Sequence, residues 1–356
     1  ATGRRIVEMV HENLRPSDIM TREAFENAIV VASAIGGSTN APPHLMAIAR
    51  HMHVELTMED FQTHGHDIPL LANIQPAGKY LGESFHRAGG VPAIVRELMD
   101  AGKIHEDALT VSGRTIGENN RNARSGDRDV IRPYNEPLMA NAGFTVLTGN
   151  LFESAIMKMS VVTPEFRRRY FERPGSENVF EGRAIVFDGP EDYHDRLNDP
   201  ALDIDEDCIL VMRGAGTVGY PGSAEVVNMQ PPDHLIRRGI MALPTLGDGR
   251  QSGTSESPSI LNASPEAAVG GNLALLETGD RVRIDLDRRR VDVLLPDEEL
   301  AARRERHLPY PIPPNQTPWQ EMYRGMIGQL AQGACLEPAV PYVNIVERYG
   351  LPRDSH

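Results

Sequence analysis

The sequence predicts an α/β protein in which the remainder of a parallel-sheet α/β domain precedes a β-barrel-like domain and a helical tail. Two observations carry this expectation. Residues 1–135 show helical patterns joined by short strands, whereas short β-like runs separated by glycine turns recur from residue 144 onward. A Pro-rich segment and a helical pattern follow residue 307. We therefore expect domains at 1–138 and 139–310 and a tail at 311–356.

The first domain is predicted to be mainly helical. Residues 24–35 are apolar on nearly every side, which indicates a buried helix, and this helix ends at a Gly-Gly pair. Residues 92–101 begin with Pro and are followed by Gly102, the usual asymmetry of a helix. The run ALTVSG (108–113) favours a strand, and the polar stretch 115–137 favours a loop at the domain boundary.

The second domain is predicted to consist of short strands that form a barrel or a sandwich. Its clearest signal is a hairpin at 281–296, where apolar and charged residues alternate on both sides of a turn. Residues 297–306 place acids first and bases last, which suits the dipole of a helix. The other predicted strands are 144–149, 155–162, 184–189 and 208–214. The helix predicted in the tail is 319–332.

Composition narrows the class of protein. The chain has 356 residues, of which 40% are hydrophobic and 24% charged, as in ordinary globular proteins. A net charge of −14 argues against a nucleic-acid partner, although a local arginine or a metal still permits an anionic substrate. The sequence shows no membrane span and no signal peptide, and its two cysteines make no disulfide framework. We expect a cytoplasmic enzyme.

The stretch GDGRQSGTS (247–255) concentrates glycines, hydroxyls and one arginine in a single turn after an apolar segment. Glycines permit positive φ and let backbone N–H groups converge on a ligand, while Ser252 and Thr254 can donate, accept or lose a proton. The pattern is neither a nucleophile elbow, which needs G-x-S-x-G, nor a P-loop. Taken alone, it also fits a hydroxyl-rich surface turn.

Two further glycine-containing stretches are candidates. RGAGTVGYPGSAEVV (213–227) carries one carboxylate, Glu225, which by itself also fits an ordinary solvated side chain. GGSTN (36–40) places Ser38, Thr39 and Asn40 before a helix predicted at 41–49, where they suit a carboxylate or a phosphate. Ser38 or Asn40 also fits the role of a helix cap.

Eight segments, in order across nearly the whole chain, together resemble the dihydroxy-acid and sugar-acid dehydratase family. They are 15–29, 36–40, 76–90, 147–151, 219–225, 247–255, 264–271 and 297–304. The form GRQSGTS and the tail that ends in GLPRDSH are similar to the pentonate (arabinonate or xylonate) dehydratases. Branched-chain members of the family more often carry an aromatic residue where Gln251 stands.

The resemblance implies a hydro-lyase that removes water from a 2,3-dihydroxy sugar acid to give a 2-keto-3-deoxy acid. Such chemistry needs one Lewis acid that acidifies the C2 proton and another that takes the C3 hydroxyl. By its motif, Ser252 matches the base of the family, Thr254 a neighbouring polar contact and Glu225 a Mg²⁺ ligand. A [2Fe–2S] cluster held by three cysteines is the second Lewis acid that the resemblance implies.

A serine acts as a base only when its pKa is driven far down, and nearby cationic charge and backbone donors are the physical means. Arg250 is expected to supply such charge or to hold the loop. Ser38, Thr39, Asn40 and Arg250 are expected to contact the substrate, and His356 in the tail is expected to reach a neighbouring site. It also implies a homodimer or homotetramer and a small anionic sugar-acid substrate.

The cysteines depart from the family pattern. Neither Cys208 nor Cys335 matches a cluster-ligand motif, and the chain begins without Met directly in a helical pattern. We therefore expect a fragment whose missing N-terminal part holds the cluster ligands, and which alone binds no cluster and is inactive. A branched-chain or gluconate-type dehydratase is the alternative within enzymes, and a non-catalytic truncated or accessory chain is the alternative outside them.

Overall fold

The computed structural model describes residues 2–314, 317–342 and 348–350. Its helices are α1 Thr2–Glu12, α2 Pro16–Ile19, α3 Arg22–Ala34, α4 Ala41–His51, α5 Met58–Gly65, α6 Gly82–Arg87, α7 Gly90–Asp100, α8 Ile116–Asn120, α9 Pro164–Tyr170, α10 Gly189–Arg196, α11 Asp233–Ile236, α12 Asp297–His307 and α13 Pro318–Arg324. Its strands are β1 Phe144–Leu147, β2 Ser154–Lys158, β3 Val179–Asp188, β4 Cys208–Arg213, β5 Thr245–Gly247, β6 Ser259–Ser264, β7 Arg281–Asp285 and β8 Arg290–Val293.

The eight strands form one sheet in the order β1-β2-β6-β5-β4-β3-β7-β8. Strands β6, β5, β4 and β3 run parallel to one another, and the pairs toward both ends of this order are antiparallel. The first and last strands also meet, because the Thr148 amide donates to the Arg289 carbonyl at 2.9 Å and the Val291 amide donates to the Thr148 carbonyl at 2.7 Å. The sheet thus closes into a barrel, and the predicted α/β class with a barrel-like domain is confirmed.

The hairpin at 281–296 is confirmed as β7 and β8. Val282, Ile284, Val291 and Val293 are all buried, and the charged residues between them are more exposed. This is the alternation expected of strands with one face on a core. The helix predicted at 297–306 is α12, in which the acids of the first turn and the bases of the last turn face the favourable ends of the dipole.

The region before the barrel is helical, as predicted. The segments between its helices form isolated β-bridges. The buried helix is α3, capped by the Thr21 hydroxyl, and the second predicted helix is α7. One isolated bridge, between Leu109 and Thr115, stands where a strand is predicted at 108–113. The segment 115–137, predicted as a loop, contains the short helix α8 with a capping box formed by Thr115 and Glu118.

The barrel interior supplies the largest apolar core, to which β3 and β4 contribute runs that are buried on both faces. The loops that follow parallel strands β4 and β5 leave the same end of the barrel, because both strands run in one direction. The carboxyl ends of parallel strands are where α/β sheets commonly bind ligands. Within the described residues, no helix is both long enough and apolar enough to span a membrane.

Candidate functional site

Buried Asp248 holds the start of the loop that follows β4. Its carboxylate accepts three backbone N–H bonds, from Gly214 at 3.0 Å, Ala215 at 2.9 Å and Ala267 at 2.9 Å. Burial, together with the nearby Glu266 carboxylate, raises the pKa of Asp248 to about 7. Asp248 therefore ties the loops after β4 and β6 to the end of β5.

Buried Glu266 holds the next part of the same loop. Its carboxylate accepts the amides of Val218 at 3.0 Å and Gly219 at 2.8 Å. It also accepts the Thr217 hydroxyl at 2.9 Å and the Gln329 side-chain amide at 2.8 Å. Because these donors satisfy both oxygens, Glu266 is a structural acceptor that shapes residues 217–219.

Asn40 joins the three predicted stretches at this end of the barrel. Its buried Nδ2 donates to Glu225 Oε1 and, at 3.0 Å, to the Gln251 carbonyl. Arg250 Nη1 donates to Asn40 Oδ1 at 3.4 Å, and Arg250 Nε donates to the Ser223 carbonyl at 2.7 Å. Arg250 thus holds the loop, as one of its two expected roles requires, and it brings a positive charge beside Asn40.

Ser252 lies one residue beyond this contact, and its Oγ contacts the amide and the hydroxyl of Thr254. The Thr254 amide donates to Ser252 Oγ at 3.3 Å, and the two hydroxyl oxygens are 2.8 Å apart. Asn228 links Ser252 to the Glu225 segment, because its Oδ1 accepts the Ser252 amide at 3.2 Å and its Nδ2 donates to the Glu225 carbonyl at 2.6 Å. Ser252 and Glu225 therefore belong to one cluster.

Ser38 and Thr39 pack against the bend that carries Ser252. A Cβ added to Gly253 would lie 2.9 Å from both Cβ and Oγ of Ser38, so this close approach requires glycine. The Thr39 carbonyl accepts the Asn262 side-chain amide at 3.1 Å, which fixes this segment to β6. Four of the predicted segments, at 36–40, 219–225, 247–255 and 264–271, thus meet at one end of the barrel.

A cavity of about 460 Å³ opens beside this cluster. Thr254 and Asn228 line it on the side of the cluster, and Arg169, Tyr170 and Gln230 line it farther away. The volume is in the range of ordinary small-molecule pockets. Hydroxyl and amide groups at its rim suit a ligand with several hydroxyls.

The Glu225 carboxylate fits one ligand of a Mg²⁺ site. Glu225 is exposed, and only its Oε1 has a hydrogen-bond partner among the described residues. Mg²⁺ in proteins is commonly bound through one or two carboxylates while it keeps several waters. Within the described part of the chain, no group of three or more His, Cys, Asp or Glu side chains suits a metal ion. Glu225 therefore fits one ligand of a site that needs further donors.

The two cysteines do not fit an iron–sulfur cluster. Cys208 is buried in β4, where its thiol donates to Asp205 Oδ1 at 3.2 Å and burial raises its pKa to about 11. Cys335 is buried in the tail, and burial raises its pKa as well. Cluster ligands are thiolates, which these environments disfavour. His356, the remaining predicted site residue, lies outside the described residues.

Four polar residues of this region are not among the predicted site residues: Asp248, Glu266, Asn228 and Lys158. Asp248 stands between two glycines directly after an apolar strand, a position typical of a carboxylate that accepts backbone N–H groups. Lys158 stands inside the apolar run 155–162, where a charged residue is unusual. Both signals are visible in the sequence.

The chain matches both domains of one family. Residues 1–119 match the N-terminal domain, and residues 129–334 the C-terminal domain, of dihydroxy-acid/6-phosphogluconate dehydratases. It is 59% identical over 355 residues to a D-xylonate dehydratase of Caulobacter vibrioides, of which the match covers 59%. It is 45% identical over 303 residues to an L-arabinonate dehydratase of Rhizobium leguminosarum, a match that covers 85% of this chain and 50% of that protein.

A more distant relative is a dihydroxy-acid dehydratase of Ignicoccus hospitalis, 40% identical over 310 residues, or 86% of this chain and 53% of that protein. The chain thus spans between 50% and 59% of the length of these three relatives. The resemblance drawn from the eight segments is confirmed, and so is the similarity to xylonate and arabinonate dehydratases. The chain belongs to the dihydroxy-acid/6-phosphogluconate dehydratase family.

Proposed function

We propose that the complete protein dehydrates a pentonate to its 2-keto-3-deoxy acid, with Ser252 as the base that takes the C2 proton. The observation that carries the proposal is the environment of Ser252 Oγ, which faces the Thr254 amide at 3.3 Å and the Thr254 hydroxyl at 2.8 Å. Both groups donate to an oxygen that carries negative charge. Donors aimed at the place where charge develops are a major source of catalysis.

The Thr254 donors stabilise the anionic form of Ser252 more than the neutral form, so they lower the pKa of the hydroxyl. Gly253, between the two residues, lies in close contact with Ser38, and the Thr254 amide turns back toward Ser252 Oγ. Arg250 adds positive charge at Asn40, on the other side of Gln251. The bend therefore provides the two elements that the chemistry demands, fixed donors and cationic charge.

Glu225 is proposed as a Mg²⁺ ligand, and Asn40 is the residue that positions it, through the bond to Oε1. When bound, Mg²⁺ supplies Lewis acidity that acidifies the proton beside the substrate carboxylate. Ser38 and Thr39 are proposed to contact the substrate from the loop that packs against Gly253. Arg250 is proposed to attract the substrate carboxylate.

A [2Fe–2S] cluster remains part of the proposal for the complete protein, with ligands outside this chain. Cys208 and Cys335 do not fit such ligands, so no step of the reaction is assigned to residues of this chain through the cluster. For the same reason, this chain alone is proposed to be inactive. The test is to reconstitute this chain and the complete protein with iron and sulfide and to record their absorption spectra. We expect the absorption of a cluster in the complete protein and not in this chain.

The pentonate assignment rests on relatives that are named xylonate and arabinonate dehydratases. Gln251 supports this assignment. Its side chain is buried, and its Nε2 donates to Ser259 Oγ at 3.0 Å. The site thus holds a polar side chain at a position where branched-chain members commonly carry an aromatic one. The dihydroxy-acid dehydratase relative favours the branched-chain substrate as the second candidate.

The test is turnover of D-xylonate, L-arabinonate and dihydroxyisovalerate by the complete protein and by its Ser252→Ala variant. We expect turnover of a pentonate and a loss of about 10²–10⁴-fold in kcat for Ser252→Ala, the size of a general base contribution. Ser255→Ala, in the same bend, serves as the control that keeps most activity. A loss below tenfold for Ser252→Ala rules out its role as base, and turnover of dihydroxyisovalerate alone rules out the pentonate.

A further inference from the structure

Lys158 lies at the end of β2, beneath the bend that carries Ser252. Its side chain is 5% exposed, and its Nζ donates to the Gly253 carbonyl at 3.4 Å. Gly253 separates Ser252 from Thr254, so the lysine amine contacts the backbone of the residue next to the proposed base. The chain has three lysines among its 36 basic residues, and the other two, Lys79 and Lys103, are exposed.

Burial of Lys158 is not offset by an acidic partner. Within the described residues it makes no ion pair, and burial is the only cause that lowers its pKa, to about 8. A buried ammonium without a counter-charge costs several kcal/mol, and methionine or leucine fills such a position at less cost. A group retained at this cost beside a reactive centre is a candidate for a functional role.

The ionisable groups on neighbouring elements point elsewhere. His66 Nδ1 is 3.0 Å from Thr145 Oγ1 of β1, and Glu225 and Arg250 contact Asn40. Glu256, in the bend, is exposed, and β6 carries no charged residue. Lys158 contacts Gly253, and Ser252 is the residue directly before Gly253. Among the ionisable groups of the proposed mechanism, Ser252 is therefore the closest in sequence to this contact.

We propose that Lys158 is a positioning residue that holds the 252–254 bend through the Gly253 carbonyl and lowers the pKa of Ser252 with its positive charge. This inference rests on the proposed function and adds a second source of positive charge besides Arg250. An opposite charge within about 4–6 Å lowers the pKa of an acid by about 1–3. Lys158 pairs with Phe144 of β1, on the face of the sheet that packs against α3 and α5, and its burial there limits screening by water.

The sign of the effect follows from the charge. A cation stabilises the Ser252 alkoxide, so its removal raises the pKa of Ser252 and moves the acidic limb of the kcat/KM profile to higher pH. Below that limb, kcat/KM falls about tenfold for each pH unit of displacement. Wild-type protein loses the same charge as the pH rises through about 8, the pKa of Lys158.

The test uses the complete protein with Lys158→Met, which removes the charge and keeps the length of the side chain. We expect the acidic limb to move up by at least about one pH unit and kcat to fall, while KM changes less than threefold. The thermal unfolding midpoint is expected to stay equal or rise, because a buried charge is replaced by an apolar side chain. A structural role alone predicts the opposite, a lower midpoint with an unmoved limb.

Two variants complete the comparison. Lys158→Arg keeps the charge and is expected to restore the limb to its wild-type position. Lys103→Met removes an exposed lysine and is expected to change neither limb nor midpoint. An acidic limb that stays in place in Lys158→Met overturns the proposal, and so does a rise in KM without a fall in kcat, because that result identifies a substrate contact instead.

A second measurement is independent of turnover. In protein labelled at lysine Cε, the ¹³C signal that Lys158→Met removes is expected to titrate near pH 8. A signal that shows a neutral amine throughout pH 6–8 overturns the proposal even where Lys158→Arg does not fold. If Ser252→Ala keeps its activity, the base assignment fails, whereas an essential Ser252 with an unmoved limb in Lys158→Met refutes this inference alone.

Discussion

The loop between β4 and α11 has two halves that contrast sharply in their surroundings. Residues 214–219 are fastened by two buried carboxylates, Asp248 and Glu266, which accept backbone amides on both sides of the turn. Residues 220–227 alternate between buried positions, at Ser223 and Val227, and exposed ones, among them Glu225. The two acids that hold the first half accept several donors each, whereas Glu225 in the second half has a hydrogen-bond partner among the described residues at Oε1 only.

The difference shows that one part of this loop has its backbone held in place, whereas another part carries a side chain that is able to bind a ligand. A carboxylate that accepts several N–H bonds stabilises a backbone conformation and has little capacity left for a ligand. An exposed carboxylate with one occupied oxygen keeps that capacity. Substitutions of the acids that hold the first half should therefore act on stability, and substitution of Glu225 in the second half should act on activity.

The largest expected effect is the loss of Glu266. Glu266→Ala leaves the amides of Val218 and Gly219 and the Thr217 hydroxyl without their buried acceptor. We expect the free energy of unfolding to fall by about 4 kcal/mol, since each buried unsatisfied group costs about 1–3 kcal/mol. Denaturant titration measures it, with Glu298→Ala, at an exposed acid of α12, as control. Equal midpoints for the two variants would contradict the holding role.

Asp248 should produce a pH dependence of stability. Its folded pKa of about 7 lies above the unfolded value of about 3.9, so its contribution is complete below about pH 4 and is lost as the pH rises through 7. The stability advantage of wild type over Asp248→Asn should shrink by about 2–3 kcal/mol between pH 5 and pH 8. Unfolding titrations at both pH values test this, and a constant difference would contradict it.

Glu225→Gln should show the reverse pattern. Loss of the carboxylate charge is expected to reduce kcat/KM of the complete protein about 100-fold, or about 2.7 kcal/mol, because the charge of the proposed Mg²⁺ ligand is removed. The thermal midpoint should change little, since the side chain is exposed. Rates and midpoints of the matched Glu298→Gln variant provide the baseline. A large drop in the midpoint for Glu225→Gln would place this residue with the holding acids.

Asn228→Ala should give the smallest effect. It tests whether the Glu225 segment needs its bridge to Ser252. Its side chain joins the Ser252 amide to the Glu225 carbonyl, and both groups remain accessible to water when it is removed. We expect kcat to fall about fivefold, since a bridging hydrogen bond contributes about 1 kcal/mol. Steady-state kinetics measures this. No change in kcat would show that the two segments keep their positions without the bridge.

Much of the fold is predictable because it follows periodic patterns. The helix α3, the hairpin of β7 and β8 and the helix α12 each have a clear apolar stripe, an alternation or matched terminal charges. Strand β6 is not predictable in this way. It is buried along its whole length and includes Ser259, Asn262 and Ser264, so neither alternation nor an apolar run marks it.

The predicted site residues came from motifs, and the structure brings Asn40, Glu225, Arg250 and Ser252 into one cluster. The residues that support them were missed because their role depends on partners distant in the chain. Glu266 accepts amides from residues 47 and 48 positions away. Lys158 is 95 positions from Gly253. Such pairings arise only when the barrel forms.

The seam between Thr148 and the β8 strand has a consequence for how this chain is made. Its two sides are separated by more than a hundred residues, and contacts of such separation form late and slowly. During synthesis, the ribosome must release Val291 before the seam is able to form. Until then, the hairpin of β1 and β2 presents an unpaired edge, which is the kind of surface that chaperones shield from neighbouring nascent chains.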